Sequence, residues 1–436
     1  MYDWRTRLFA LGLAVSAGAL AAGCEDALEA NSGRSLQPIS NQTLALMDKI
    51  GTTPSAPVLI RTYKQEAELE IWKMKSDGQY ALLKTYPMCR WSGQLGPKLH
   101  EGDHQVPEGF YTIAPGQMNP TSHYYLSFNV GYPNAYDRAL GRTGGDIMVH
   151  GVCSSAGCFS MTDAQIGEIY AIAREAFNGG ERAIQMQSFP FRMTVENLAK
   201  HRLDPNIAFW KEIKNGADHF EVTKTEPDVL VCGKHYVFGA HSDADVDASA
   251  PCPANLQRDD QIEAAVAEKQ ASDDASVATL VAQGVKPVKI VYQDGGQNAA
   301  FAGREDLDPS APEALAAGPT VITLDNSGKP LPPVVKVAAA DVPAPAAAPA
   351  AASAPSAPAA TQTAANATGA SPFGFLNGGG VKSFFGLGGS DAQPPQIKVF
   401  EPAQPIPTEA PLPPKRNAAL DAHGPQAMAD APTREQ

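Results

Sequence analysis

Positive charge is scarce in this chain of 436 residues. Lys and Arg number 34 against 47 Asp and Glu, giving a formal net charge of −13 and a pI near 5.2. That balance argues against nucleic acid as a partner, because each phosphate contact needs a cation to neutralise it. Long apolar runs are missing too: beyond the N-terminus no segment holds the roughly 20 apolar residues of a membrane-crossing helix. Cysteine is sparse, with six in the chain. No CxxC or HxxxH companion stands beside the one stretch rich in metal-ligating side chains, which weakens a zinc reading. From Ala338 to Ala370 bulky apolar residues all but vanish, and an Ala/Pro tract of that kind is expected to be an extended, disordered linker. Gly386-Leu-Gly-Gly389 has no strand before it and no helix after it, so it is not a phosphate loop.

What is present concentrates in His150-Gly-Val-Cys-Ser-Ser-Ala-Gly-Cys158. Gly144 to Val149 reads as a turn and a short buried strand, with His150 and Gly151 at its end. Thr162 opens a helical pattern with Ile166, Ile169, Tyr170, Ala173 and Phe177 on one face. Thr162-x-x-Gln165 predicts a capping box, and Gly179-Gly180 a stop. Cys158 is thus expected in a tight loop before a helix N-terminus, where backbone N–H groups and the helix dipole favour a thiolate. An imidazole and a thiol so close together suit a general base and a nucleophile. Two other readings of the same residues stay open: a metal site built from His150, Cys153 and Cys158, and a Cys153–Cys158 disulfide.

The N-terminus reads as an export signal. Arg5 and Arg7 precede an apolar run from Leu8 to Leu20, too short to span a bilayer but suited to a signal-peptide core. Ala19-Leu-Ala21 suits signal peptidase; Ala21-Ala-Gly-Cys24 resembles a lipobox in which Cys24 would carry lipid. Either way the expected location is the periplasm, with a membrane anchor only through Cys24. The organisation expected is residues 1–23 as signal peptide, 24–54 as tether (with one helical pattern at Leu44, Met47 and Ile50), 55–255 as a compact domain, and 256–436 as a largely disordered tail containing one exposed helix over Ile262–Gln283. Within the domain, Val58–Tyr63, Glu68–Met74, Gln79–Tyr86, Phe110–Ile113, Tyr124–Val130 and Ile184–Phe189 read as strands. Helices are expected after Thr194 and over Asn206–Lys214, the latter closed by Gly216. The fold class is α+β and β-rich. In an oxidising compartment Cys232 and Cys252, which flank a strand candidate, suit a structural disulfide. Cys89 and Cys153 are left over, and their pairing would tie an N-terminal strand to the Cys158 loop.

The run from Cys89 to Arg192 resembles the murein L,D-transpeptidase family with a YkuD-type catalytic domain, most closely its YafK-like branch. The pieces that carry the resemblance are Ser92-Gly-Gln-Leu-Gly-Pro-Lys98, Glu101-Gly-Asp103, Pro107-Glu-Gly-Phe-Tyr111, Tyr132-Pro-Asn134 with Asp137, Gly141-Arg-Thr-Gly144, His150-Gly151, Ser155-Ala-Gly-Cys158-Phe-Ser-Met161-Thr-Asp163 and Phe189-Pro-Phe-Arg-Met-Thr194. The wider family usually has Ser-His-Gly-Cys and an arginine two residues after the cysteine; Ala156 and Ser160 stand at those places here. The resemblance implies a cysteine peptidyltransferase acting on peptidoglycan stem peptides, with no cofactor. Cys158 would attack a carbonyl of meso-diaminopimelate, and His150 would move the protons. The Gly151 carbonyl would hold the imidazole, and the N–H groups of Gly157 and Cys158 would form an oxyanion hole. Arg192 suits either a substrate-carboxylate clamp or an internal ion pair, and Tyr132 and Asn134 either line the cleft or make a turn. Lys98 and Asp103 fall in a loop able to act as a lid, while His100, His104 and His123 read as surface residues. Three functions follow: a transpeptidase, an amidase of the same chemistry that releases a wall-linked outer-membrane lipoprotein, and a non-catalytic wall-binding scaffold.

Overall fold

The computed structural model describes residues 33–332. Helix α1 (Asn41–Ile50) is capped by Ser40, whose Oγ accepts the Thr43 N–H, and is closed by Gly51 in the left-handed conformation. Strands β1 (Val58–Tyr63), β2 (Glu68–Met74) and β3 (Tyr80–Pro87) form an antiparallel meander at the predicted positions. Short strands β4 (Arg90–Trp91), β5 (Gly109–Ile113), β6 (Met118–Asn119) and β7 (Ser127–Asn129) follow. Then come α2 (Ala135–Ala139), β8 (Met148–His150), β9 (Phe159–Ser160), α3 (Asp163–Asn178) and β10 (Ile184–Phe189).

These strands make two five-stranded sheets, ordered β3-β2-β1-β10-β5 and β4-β9-β8-β7-β6. Each contains one parallel pair, β1 with β10 and β8 with β9. β1 is buried along its whole length, with Arg61 and Thr62 enclosed along with its apolar start, Val58 to Ile60, so it shows no alternation. Helix α3 touches β1 of the first sheet and β7 and β8 of the second. It turns inward the stripe predicted for it, with Ile166, Ile169, Tyr170 and Ala173 buried. Its predicted capping box is formed: Thr162 Oγ1 accepts the Gln165 N–H, and Gln165 Oε1 accepts the Thr162 N–H. The helix thereby fixes the end of the Cys158 loop relative to both sheets.

Three boundaries differ from the sequence expectation. The segment before residue 55 is no loose tether from Ile39 onward, since Ile39 and Met47 are buried and Ser40 donates to Glu168 at 3.0 Å. After α4 (Val195–His201), helix α5 runs from Ile207 to Thr223, straight through Gly216. That glycine is a packing position: a Cβ there would lie 2.4 Å from Phe110 Cζ and 2.5 Å from Phe238 Cε1. The third difference is the end of the fold. The hairpin of β11 (Val229–Cys232) and β12 (His235–Phe238), stapled by the Cys232–Cys252 disulfide, leads to β13 (Ala240–His241) and β14 (Gln257–Arg258). The chain then continues through α6 (Asp260–Ala282), β15 (Val288–Val291), α7 (Pro312–Ala317) and β16 (Thr320–Thr323).

The folded region therefore passes residue 255 and reaches at least 332. Helix α6 packs on α4 and α5, with Lys214 bridging Asp218 at 2.6 Å and Asp273 at 2.7 Å. It has no apolar stripe, and Val266 is its one buried residue, so hydrophobic periodicity could not reveal that it docks. The export signal with Cys24, the Ala/Pro tract and the rest of the expected tail from 333 lie outside the described residues.

Candidate active site

The parallel register of β8 and β9 builds the site. Val149 pairs with Phe159 and His150 with Ser160. Cys158 immediately precedes β9, two residues before Ser160, which pairs with His150. The start of β9 therefore brings Cys158 beside the β8 strand that ends in His150. Ser160 Oγ is 3.5 Å from His150 Nε2, and the Met148 N–H donates to Cys158 Sγ at 3.4 Å. Because both strands are so short, the few residues from Gly151 to Cys158 suffice for the crossover. This corrects the expected loop-to-helix placement. A strand follows Cys158 directly, and the helix N-terminus is used by Thr162 and by Asp163, which accepts the Val152 N–H at 2.9 Å.

The crossover is held from several sides. Cys153 is bonded to Cys89, so it is neither a metal ligand nor a partner for Cys158. Among the described residues Cys158 is the free cysteine, and no cluster of three metal-ligating side chains is found. Val152 adopts positive φ, and Gly151 lies where a Cβ would meet Asp163 Oδ1 at 2.6 Å and the Tyr124 carbonyl at 2.9 Å. Ser155 Oγ accepts the N–H groups of Gly157 (3.3 Å) and Cys158 (3.1 Å) and donates to the Cys158 carbonyl at 2.7 Å. The two N–H groups expected to make an oxyanion hole are thus engaged by a neighbouring hydroxyl.

The imidazole is buried and oriented. His150 Nδ1 lies 2.5 Å from the Gly151 carbonyl oxygen, which fixes the proton on Nδ1 and leaves Nε2 as the basic nitrogen. The Tyr124 ring, centred 4.6 Å away, covers it. Burial pushes the His150 pKa down, opposed by the Gly151 carbonyl and the charge of Asp163. Burial also pushes the Cys158 thiol up, opposed by the Met148 N–H and the Lys98 ammonium. Both shifts favour neutral partners, a thiol and an imidazole, before a reactant arrives. In this state the thiol points to the Asp146 carbonyl at 3.8 Å and not to the imidazole. Cys158 opens onto a cleft of about 230 Å³ that is also lined by Lys98, Glu101, His104, Asp146 and Ala156. A nucleophile, a base behind it and an ammonium across the cleft can together attack a carbonyl and protonate a leaving group.

Other sequence candidates fall elsewhere. Arg192 binds Glu68 (2.5 Å) and Glu70 (2.8 Å) and stacks on Tyr63, so its guanidinium is committed inside the fold. Tyr132 is buried, and its hydroxyl donates to the carbonyls of Lys98 and Thr143. Asn134 caps α2 and donates to Phe110 O and Tyr236 Oη. Lys98, by contrast, is buried, ion-paired with Asp103 at 2.5 Å, and lines the cleft. His104 is exposed, as expected, and sits at the cleft rim with positive φ. Sequence reading missed Tyr124 as the cover of His150. Only the Asp163 of the Met161-Thr-Asp163 motif hinted that the helix start serves the site.

Comparison with known proteins agrees on one family. The model for the L,D-transpeptidase catalytic domain, YkuD, matches residues 67–179. YafK of Escherichia coli (strain K12), provisionally named an L,D-transpeptidase, is 42% identical over 182 residues, covering 42% of this chain and 74% of that protein. The counterpart from Escherichia coli O157:H7 matches equally. Among solved structures, the helical cell shape determining protein Pgp2 of Campylobacter jejuni aligns over 66% of this chain and 96% of its own, at 14% identity and a TM-score of 0.25. That value is too low to add to the assignment.

Proposed function

The chain belongs to the YkuD family of L,D-transpeptidase catalytic domains, and from that premise we propose that it is a cysteine peptidyltransferase acting on peptidoglycan stem peptides. The observation that carries the reading is the parallel pairing of β8 with β9, which sets Cys158, just before β9, beside the strand that ends in His150, with the thiol at the mouth of a cleft. Cys158 Sγ attacks the carbonyl of a diaminopimelate residue in a stem while His150 Nε2 takes the thiol proton. The tetrahedral adduct collapses to a thioester, and the C–N bond to the following residue breaks. His150 then gives its proton to the departing amine. A second amine attacking the thioester makes a new amide; water makes a free carboxylate. The Gly151 carbonyl keeps Nδ1 protonated throughout and steadies the imidazolium.

Gly157 and Cys158 N–H groups serve the oxyanion only if Ser155 Oγ moves aside, so the first turnover includes a rotation of that hydroxyl. In this reading residues 1–23 direct export to the periplasm, Cys24 is the lipid attachment point, and the acceptor is either a second stem or an outer-membrane lipoprotein. The test is mass spectrometry of the full chain with purified muropeptides and with a wall-linked lipoprotein, for wild type and Cys158→Ala. A wild-type acyl adduct that turns over to cross-linked dimers establishes transpeptidation. Released peptides without dimers establish the amidase. Absence of both adduct and product with a reduced Cys158 overturns catalysis in favour of a wall-binding scaffold.

A further inference from the structure

We propose that Ser310 is a positioning residue for Cys158, delivered by a strap, Tyr292–Ser310, that lies beyond the part of the chain matched to the family domain; this rests on reading Cys158 as the nucleophile. Ser310 Oγ accepts the Ser155 N–H at 3.0 Å and donates to the Ser155 carbonyl at 3.3 Å. Ser155 Oγ in turn engages both the N–H and the carbonyl of Cys158. Two hydroxyls thus connect the strap to the peptide groups of the nucleophile.

The strap is anchored on the same sheet edge. Arg90, fully buried beside β9, donates from Nε to Ser310 O (3.0 Å) and from its terminal nitrogens to Asp294 O (2.5 Å) and Asp294 Oδ2 (2.6 Å). Trp91 and Gly296 exchange backbone hydrogen bonds at 2.9 and 3.0 Å, and the Tyr292 ring packs edge-on to Trp91. Gly295 sits where a Cβ would lie 1.9 Å from the Trp91 carbonyl, so the approach needs glycine. Between these anchors Phe301 packs on the Cys89–Cys153 disulfide. The buried arginine has its partners in the strap and in its own strand, and would be left with unpaired donors if the strap were absent.

Removing the Ser310 hydroxyl leaves the N–H and carbonyl of Ser155 without those partners. The loop then relaxes, and the Met148 N–H that stabilises the thiolate loses its alignment with Sγ. The charged and titratable groups facing Cys158 from its neighbours are untouched by the change: Lys98, Glu101 and His104 from the loop before β5, Asp146 and His150 from the β8 side.

The test is the pH profile of iodoacetamide alkylation at Cys158 in the full chain, read on the Cys158 peptide, for wild type, Ser310→Ala and Ser310→Thr, with melting temperatures alongside. The expected result is an upward shift of the Ser310→Ala profile and alkylation about threefold slower at neutral pH, as a half-unit rise in thiol pKa would give, with Thr restoring both. A Ser310→Ala profile that coincides with wild type overturns the proposal. So does a Thr variant that regains the melting temperature but not the profile. Muropeptide turnover is followed in the same samples. If the profile shifts while no protein turns over muropeptide, the positioning role stands and the proposed function fails. If turnover is equal in wild type and Ser310→Ala, the function stands and the positioning role fails.

Discussion

Replacing Cys89 and Cys153 together by alanine should destabilise this protein more than the same replacement at Cys232 and Cys252, and should also impair the site. The first bridge closes a loop with a sequence separation of 64 and the second one of 20. In the chain-entropy treatment these loops restrict the unfolded chain by about 4 and about 3 kcal/mol. Packing widens the gap. Cys89 and Cys153 are both buried and share a small cluster with Phe301, whereas in the second bridge Cys232 is buried and Cys252 exposed. Losing two buried sulfur atoms adds ~1–2 kcal/mol in the first case, and losing one adds about half of that in the second. At ~2 °C per kcal/mol for a domain of this size, the melting temperature should fall by about 10 °C for the first pair and about 7 °C for the second. The assay is thermal unfolding by circular dichroism, paired with thiol counting by mass under denaturing, non-reducing conditions. Muropeptide turnover well below either melting temperature should be reduced only in the Cys89/Cys153 variant, because Cys153 anchors the crossover that carries Cys158. A first variant that melts at or above the second would refute the loop-closure and burial reasoning. Free thiols at Cys89 and Cys153 in the wild type would refute the pairing itself.

The acid limb of turnover should report His150. Burial lowers its pKa, so the neutral base survives to more acidic pH than an ordinary histidine near 6.5. Activity in kcat/KM should therefore stay flat as pH falls to that value and drop only below it; a midpoint at or above it would contradict the burial argument. The same shift has a stability sign. Between the two pKa values the unfolded chain binds the extra proton, so this group's contribution weakens as pH falls below the unfolded value. Arg192→Ala should lower stability by about 1–3 kcal/mol, since the buried Glu70 loses its ion pair and keeps only the hydrogen bonds from Tyr63 and Trp72, while leaving KM for muropeptide unchanged. A rise in KM without loss of stability would restore a substrate-clamp role for the guanidinium.

Local rules made much of this fold legible. Strands β1, β2 and β10 and the start of α3 follow the sequence because each carries its own periodicity and punctuation. Gly216 shows the limit. A glycine after a helical run looks like a stop, yet here it makes room for Phe110 and Phe238, residues distant in the chain. Helix α6 shows another: it docks through ion pairs such as Lys214–Asp273, which leave no stripe to read.

His150 and Cys158 stood out in the sequence because a histidine, two cysteines and glycines fall within a few residues, and chemistry that dense in one short segment needs no tertiary contact to be noticed. Whether the chain returns Cys158 to the strand that ends in His150 depends on the pairing of β8 with β9, a property of two strands together. The commitment of Arg192 to Glu68 and Glu70, the union of Cys89 with Cys153 and the reach of Ser310 to Ser155 are all contacts across long stretches of chain. Local propensity sees only near neighbours. Contacts made by closing long loops exist once the core has placed both ends, and these were decided by the tertiary structure.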